Sequence, residues 1–443
     1  MTEALLRPGI LRRALKNAGL LFSGKASAGL MQLATFAIAA RALGAEEFGI
    51  FSVLVAQVML FAGLASFESS QAVIRYGVPH LQSGNRQAAQ ALFKAGFLLD
   101  IGAALVAGLA MVVAAPLFAQ WLGWNDGLTE LARATAPLTF ASAVGTSKGM
   151  LRLFDRYDIL SWHAIVTPSA RLILIAVAAL SGASLGWYLA SWVVAGWLGT
   201  FAAAALAWRE AHRKDLLGGL TPSLRGLGNA HPSMWRFAFF SNLNSSLAMV
   251  PTHLATVIVA AQLGDSAAGA YRIAREVAAG MLKPLDLINQ AIFPDLARLI
   301  FGREWKRLRK TALLGGINGT AIFAGVTVVI ALVGEFFLEH IFGHDFAVAA
   351  PLLVAIGVAT TLRVTVFAAN PVIYALGRPD IAVVLSLLTG GLFVAVLFWR
   401  LPIDGLAGAG WAFIAMDGAV ALLSGAVAIF MVQKASRRPH APA

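Results

Sequence analysis

The sequence predicts an all-α polytopic membrane protein. About twelve transmembrane helices form two six-helix bundles related by a pseudo-twofold axis along the membrane normal. Three observations predict this: an apolar composition, twelve apolar runs of spanning length, and an uneven distribution of Lys and Arg. Of 443 residues, 59% are hydrophobic and only 13% charged, where a soluble domain is about a quarter charged. Mean hydropathy is +0.76. Cysteine is absent, which excludes disulfides and thiolate metal sites. A net charge of +12 would suggest nucleic acid in a soluble domain. Here the charges are placed for a membrane.

A bilayer core of ~30 Å takes about 20 apolar residues per helix. Segments 1 to 6 fall at 19–40, 48–71, 92–118, 131–151, 159–181 and 185–208. Segments 7 to 12 fall at 235–262, 267–293, 309–334, 348–372, 379–399 and 405–432. They must be helices, because an open strand leaves backbone groups unpaired in lipid. They are too long and too uniformly apolar for the alternating strands of a barrel. The expected organisation is a basic cytoplasmic segment 1–18, an N-terminal bundle 19–208, a cytoplasmic linker 209–234, a C-terminal bundle 235–432 and a cytoplasmic tail 433–443. The lead-in "LRPGILRRALK" reads as lying along the membrane interface. Segment 1 contains Lys25 and lacks a cleavage pattern, so it is not read as a removable signal.

With the N-terminus inside, 24 of the 34 Lys and Arg fall on the cytoplasmic side. That count includes bases at the cytoplasmic helix ends, such as Lys94, Arg236, Arg309 and Lys310. Three (Arg41, Arg133 and Arg400) fall in external loops or at external helix ends, and seven lie further inside helices. That asymmetry is the positive-inside pattern, and it places both termini in the cytoplasm. An internal repeat accompanies it. Residues 33–49 read "LATFAIAARALGAEEFG" and residues 254–269 read "LATVIVAAQLGDSAAG". Six helices per half keep the halves in the same orientation, as in many transporters.

Segment 8 carries Arg272, Arg275, Glu276, Lys283 and Asp286. At 100° per residue these five and Gln290 fall within about 100° of one another. A charge at the bilayer centre costs ~2.5–3.5 kcal/mol on insertion scales, so such a stripe faces protein or a wet cavity. Simple pairing is the structural alternative: Arg272 with Glu276 at i,i+4 and Lys283 with Asp286 at i,i+3. Segment 1 adds Lys25, segment 4 Lys148, segment 5 Arg171 and segment 10 Arg363. Segment 7 adds Asn242, Ser245, Ser246, His253 and Thr256. The intramembrane acids are Glu68, Asp100, Glu276, Asp286 and Asp417, fewer than the bases. Segments 1, 2, 7 and 8 are repeat counterparts, and the symmetry would gather them around a central cavity. That cavity would be cationic and suited to an anionic substrate. Asp417 has no base nearby in sequence; it either protonates, binds a cation or meets a base such as Arg363 from another helix. Pro168, Pro251 and Pro284 would break or bend their helices. "GGING" at 315–319 is a weak helix-packing signal.

The stretch "ARALGAEEFGIFSVLVAQVMLFAGLASFESSQAVIRY" resembles the polysaccharide-transporter family, the O-antigen and exopolysaccharide flippases. An Arg-x-Leu-Gly-x-x-x-Phe-Gly turn joins the first two helices there, and Arg41, Leu43, Gly44, Phe48 and Gly49 match it. That family lies in the multidrug/oligosaccharidyl-lipid/polysaccharide flippase superfamily. The resemblance implies two six-helix bundles around a cavity and movement of polyprenyl-diphosphate-linked oligosaccharide across a bacterial inner membrane. Lys25, Arg171, Arg272, Arg275, Lys283 and Arg363 would then contact substrate, with Asp417, Glu276 and Asp286 as candidates for coupling to a proton or sodium ion. No catalytic residue, metal site or cofactor is expected. Expected partners are membrane lipid and a glycan polymerase or other assembly proteins, not nucleic acid.

Three rivals compete with this reading. A multidrug extruder of the same superfamily would favour an acidic cavity for cationic drugs. A membrane polymerase or acyltransferase would need a large catalytic loop, which the sequence lacks. A non-transporting scaffold would leave the intramembrane charges without a use.

Overall fold

A computed structural model describes residues 8–65, 69–218 and 249–437, and all its regular elements there are helical. Helix α1 (Pro8–Ala65) runs through segments 1 and 2 and breaks in backbone angle at Gly44 (φ 73°, ψ 176°). The basic lead-in is thus continuous with the first spanning helix from Pro8 onward. After it come α2 (Ser69–Gln82) and α3 (Arg86–Leu122). Segment 4, expected as one helix, is three pieces: α4 (Asp126–Ala134), a 3₁₀ turn (Ala136–Ser142) and α5 (Gly145–Leu153). Pro137 supplies no N–H at the break. Next are α6 (Tyr157–Leu180), which continues through Pro168, and α7 (Leu185–Arg213).

A π-helical turn at Val250–Leu254 holds Pro251 and leads into α8 (Ala255–Leu263). Gly264 (φ 87°, ψ 171°) separates it from α9 (Asp265–Phe301) and α10 (Trp305–Phe342) follows. A 3₁₀ turn (His344–Ala349) precedes α11 (Ala350–Val364) and α12 (Ala369–Ala375). Segment 10 is therefore also broken, one residue run before Pro371 in "VTVFAANP". A proline there clashes with the carbonyl four residues back. Helices α13 (Pro379–Asp404) and α14 (Leu406–Ser436) complete the chain.

Eight stretches among the described residues are long and apolar enough to cross a membrane. The other expected segments have identifiable reasons for falling short. Segment 2 merges with segment 1, segment 4 is broken, segment 7 begins outside the described residues, and segment 8 is too highly charged. Large apolar side chains such as Leu109, Val113 and Leu117 on α3 lie exposed along one face, which lipid rather than water accommodates.

Contacts divide the chain into two compact units: Met1–Leu43 with Leu54–Met249, and Gly44–Val53 with Val250–Ala443. In the first, α6 packs on α7, and α2 on α3 and α5; α1 reaches this core through Phe36, whose ring lies 5.6 Å from that of Trp192. In the second, α14 packs on α11 and α13, α10 on α11, and α9 on α8, α11 and α12. The "GGING" stretch of α10 meets the break in segment 10: side chains at Gly315, Gly316 or Gly319 would strike Phe367, Thr365 and Val364.

The repeat is written in the backbone. Gly44 and Gly264 end matching copies of "LG" in the same glycine-specific conformation. Segments 4 and 10 hold the same rank in their halves, and both break. After each broken segment comes an Arg-x-Asp clasp. Arg156 Nε and Nη2 donate to Asp158 at 3.0 and 2.8 Å. Arg378 Nε and Nη2 donate to Asp380 at 3.0 and 2.8 Å. Arg156 also pairs with the buried Glu210. The second clasp is solvent-exposed.

Candidate functional site

The polar stripe of α9 begins in protein, not in lipid. Ala270, Tyr271, Ile273, Ala274, Val277 and Ala278 are all buried, so the face opposite the charges is packed as well. Arg272 is buried and its Nη2 lies 3.4 Å from Glu276. This is the i,i+4 pair expected from spacing. Arg275 has a different setting. Its Nη2 donates to Thr252 Oγ1 at 3.0 Å, and its guanidinium sits 5.1 Å from the centre of the Phe413 ring. Tyr271 stacks on that ring at 6.3 Å. Arg275 Nε and His253 Nδ1 are buried with no hydrogen-bond partner among the described residues. The Phe413 ring is within cation–π range of the guanidinium.

Arg363, at the end of α11, meets Asp417 in the middle of α14. Its Nε donates to Asp417 Oδ1 at 2.8 Å, and its Nη2 reaches the same oxygen. Of the three fates open to Asp417, the structure selects a base from another helix. Asp417 is buried, while the Arg363 side chain is 44% exposed. The guanidinium can therefore serve the carboxylate and still present N–H groups outward. It opens on a cavity of about 250 Å³ whose polar members are Arg363, Asn370 and Ser424. Arg275 also interacts electrostatically with both Arg363 and Asp417.

In the first unit, the Arg171 guanidinium lies 4.0 Å from the centre of the Trp192 ring. Lys25 is exposed on α1, within electrostatic range of Lys148 on α5. Asp100 was read from sequence only as an intramembrane acid with no role. It is buried, and it accepts hydrogen bonds from Ser69 Oγ at 2.5 Å and Thr146 N at 2.7 Å. Thr146 opens α5, so Asp100 caps the helix that the break in segment 4 creates. A lone Asp in "FLLDIGAAL" was the available signal. No sequence rule ties it to residues 31 and 46 positions away.

The backbones of Lys283 and Asp286 belong to α9, but their side chains lie outside the described set. Glu68, Asn242, Ser245, Ser246, linker residues 219–234 and the tail beyond Arg437 also lie outside it. Among the described residues no cluster of His, Cys, Asp and Glu is arranged to hold a metal ion.

Arg272 is thus buried, Arg275 half-buried and Arg363 partly exposed, each with a fixed partner on its own or a neighbouring element. The chain belongs to the polysaccharide biosynthesis protein family, whose pattern matches residues 14–300. It is 27% identical over 355 residues to the inner membrane protein YghQ of Escherichia coli (strain K12), covering 78% of this chain and 97% of that protein. It is 24% identical over 375 residues to the lipopolysaccharide biosynthesis protein WzxC of the same strain, covering 83% and 70%. Among solved structures, a multidrug resistance transporter of the MATE family in the MOP superfamily, described as inward-facing, matches with a TM-score of 0.77. Identity there is 14%, with 94% of this chain and 100% of that one covered. A MOP superfamily transporter from Pyrococcus furiosus matches at 0.62, also at 14% identity, with 96% and 97% covered. Identities this low establish the shared fold. The all-α, multi-pass membrane class expected from composition is therefore the class observed, and the family is the one that the Arg41–Gly49 turn resembles.

Proposed function

We propose that the protein is a flippase for polyprenyl-diphosphate-linked oligosaccharide. It moves a surface-polysaccharide repeat unit across a bacterial cytoplasmic membrane by alternating access, with both termini cytoplasmic. The observation that carries this reading is Arg275. Its Nε is buried with no partner among the described residues, and its guanidinium lies 5.1 Å from the centre of the Phe413 ring. An arginine already desolvated and oriented loses little on meeting a diphosphate, and phosphate oxygens match its planar fork. Family membership and the transporter fold are consistent with the same reading.

The other sites follow from it. Arg272 and Arg363, each paired with an acid, are with Arg275, Lys25, Arg171 and Lys283 the candidate contacts for substrate. Glu276, Asp286 and Asp417 are the candidates to link the movement of a proton or sodium ion to transport. The protein acts by transport, without a bond-forming step, and delivers its cargo to a glycan polymerase or other assembly protein.

The test is a flipping assay in proteoliposomes. Labelled lipid-linked oligosaccharide loaded in one leaflet should become accessible to an impermeant glycosidase with the wild-type protein, and not with Arg275→Ala. Equal rates for the two proteins would overturn the assignment. Export of cationic dyes with no glycan movement would replace it with drug extrusion.

A further inference from the structure

A second cavity in the C-terminal unit lies outside the charged path. It has a volume of about 460 Å³ and is walled by the start of α10, the break in segment 10 and the last part of α14. Ala312, Val366 and Gly425 form an apolar floor, and small residues on two of the three walls make it concave. Its polar members are Arg309, Thr365 and Gln433. Gly425 to Gln433 covers about 12 Å of helix, close to the ~15 Å half-thickness of a bilayer's hydrocarbon core. Leu313 and Ile429 on its rim are mostly exposed, so the groove opens sideways.

Its mouth has an unusual charge. Helix α10 opens with "WKRLRK", Trp305–Lys310, and has no acidic residue in its first turn. Four basic side chains therefore crowd the positive end of the helix dipole, an unfavourable arrangement that a bound anion reverses. Glu304 lies just outside the helix and pairs with Arg307 at 2.6 Å; Lys306, Arg309 and Lys310 carry the remaining charge. Clusters of Lys and Arg beside a membrane helix attract anionic lipid headgroups.

We propose that this groove binds one anionic phospholipid of the leaflet that meets the start of α10. One acyl chain lies along Ala312, Val366 and Gly425, and the phosphate meets Arg309 at the mouth. A free phosphate has no use for a long apolar floor, and a zwitterionic lipid brings an ammonium group beside Lys306, Arg309 and Lys310 that offsets the attraction of its phosphate. The bound chain fills the gap where segment 10 breaks and supports α10 against it.

The test uses the full-length protein in nanodiscs with equal dioleoyl phosphatidylglycerol and dioleoyl phosphatidylethanolamine, followed by native mass spectrometry after release into mild detergent. The wild-type protein should retain one phosphatidylglycerol in preference. Arg309→Ala, a change at an exposed position, should lower that retention about fivefold. Ala312→Phe should fill the groove and remove the bound lipid of either type. Equal retention of the two lipids by the wild-type protein would overturn the proposal, as would unchanged retention in both variants. Displacement of phosphatidylglycerol by undecaprenyl phosphate at equal concentration would overturn it too, and would assign the groove to the isoprenoid tail of the transported lipid. Glycan flipping is not read in this experiment, so its outcome stands apart from the fate of the flippase reading.

Discussion

Gly49 and Gly269, the final glycines of the two repeat copies, touch through their backbones. A Cβ at Gly269 would lie 3.2 Å from Gly49 Cα, and a Cβ at Gly49 would collide with the Asp265 carbonyl. Phe48 beside them is fully buried and packs edge-on against Phe346 at 5.5 Å. The turn that matches the flippase pattern is thus a packing device: Gly49 gives room for close approach, and Phe48 anchors the turn.

Gly49→Ala should accordingly destabilise the protein by ~1–3 kcal/mol, the usual range for overpacking. Gly102→Ala on α3 has open space around it and should be neutral or slightly stabilising, as Ala favours helix over Gly. Fluorescence-detected size-exclusion after a heating series would rank the two. Equal thermal profiles would refute the packing account.

Arg275→Ala should abolish glycan export in cells while protein remains in the membrane at its usual level. Arg275→Lys should restore only part, since an ammonium lacks the planar fork that both Phe413 and phosphate engage. Surface glycan and membrane protein are measured side by side. Loss of the protein itself would assign Arg275 to structure rather than transport.

The Arg363–Asp417 pair should behave as a unit. Asp417 is buried but Arg363 is partly exposed, so losing Arg363 leaves a buried carboxylate without its charged partner, whereas losing Asp417 leaves an arginine that can still turn outward. Arg363→Gln with Asp417→Asn together should therefore cost less than the sum of the single changes. A double-mutant cycle of thermal stability checks this, and strict additivity would show that the pair does not couple. If Asp417 also links ion flow to export, Asp417→Asn should bind lipid-linked glycan yet fail to export it.

Asp100 offers a comparison between charge and capping. Asp100→Ala leaves the Ser69 hydroxyl and Thr146 N–H without an acceptor and should cost ~1–3 kcal/mol. Asp100→Asn keeps an acceptor oxygen and should cost less. Equal losses of stability would indicate that the charge, rather than the hydrogen bonds, matters there.

Reporter fusions after Gly218 and after Ala443 should be active only as cytoplasmic reporters. A periplasmic signal at either site would break the twelve-segment count from that point.

Hydropathy was sufficient for the class and for most helix positions, because lipid demands apolar side chains and paired backbone over any spanning run. The "LG" repeat in sequence likewise anticipated Gly44 and Gly264, since only glycine enters that backbone region without strain. The pair Arg272–Glu276 was legible because spacing on one helix dictates proximity. The breaks in segments 4 and 10 were not, because the average over a spanning window hides a single turn of lost helix. Nor were the partners of the remaining charges. Arg363 was named in sequence only as one of three options for Asp417, and that pair, like Arg171 with Trp192 and Asp100 with Thr146, depends on how each helix is rotated against its neighbours. That rotation comes from packing of whole surfaces, which no local run of residues encodes. The sequence determined by itself that charges would be buried in the membrane; only the tertiary structure decided which are neutralised there and which, like Arg275, keep a donor in reserve.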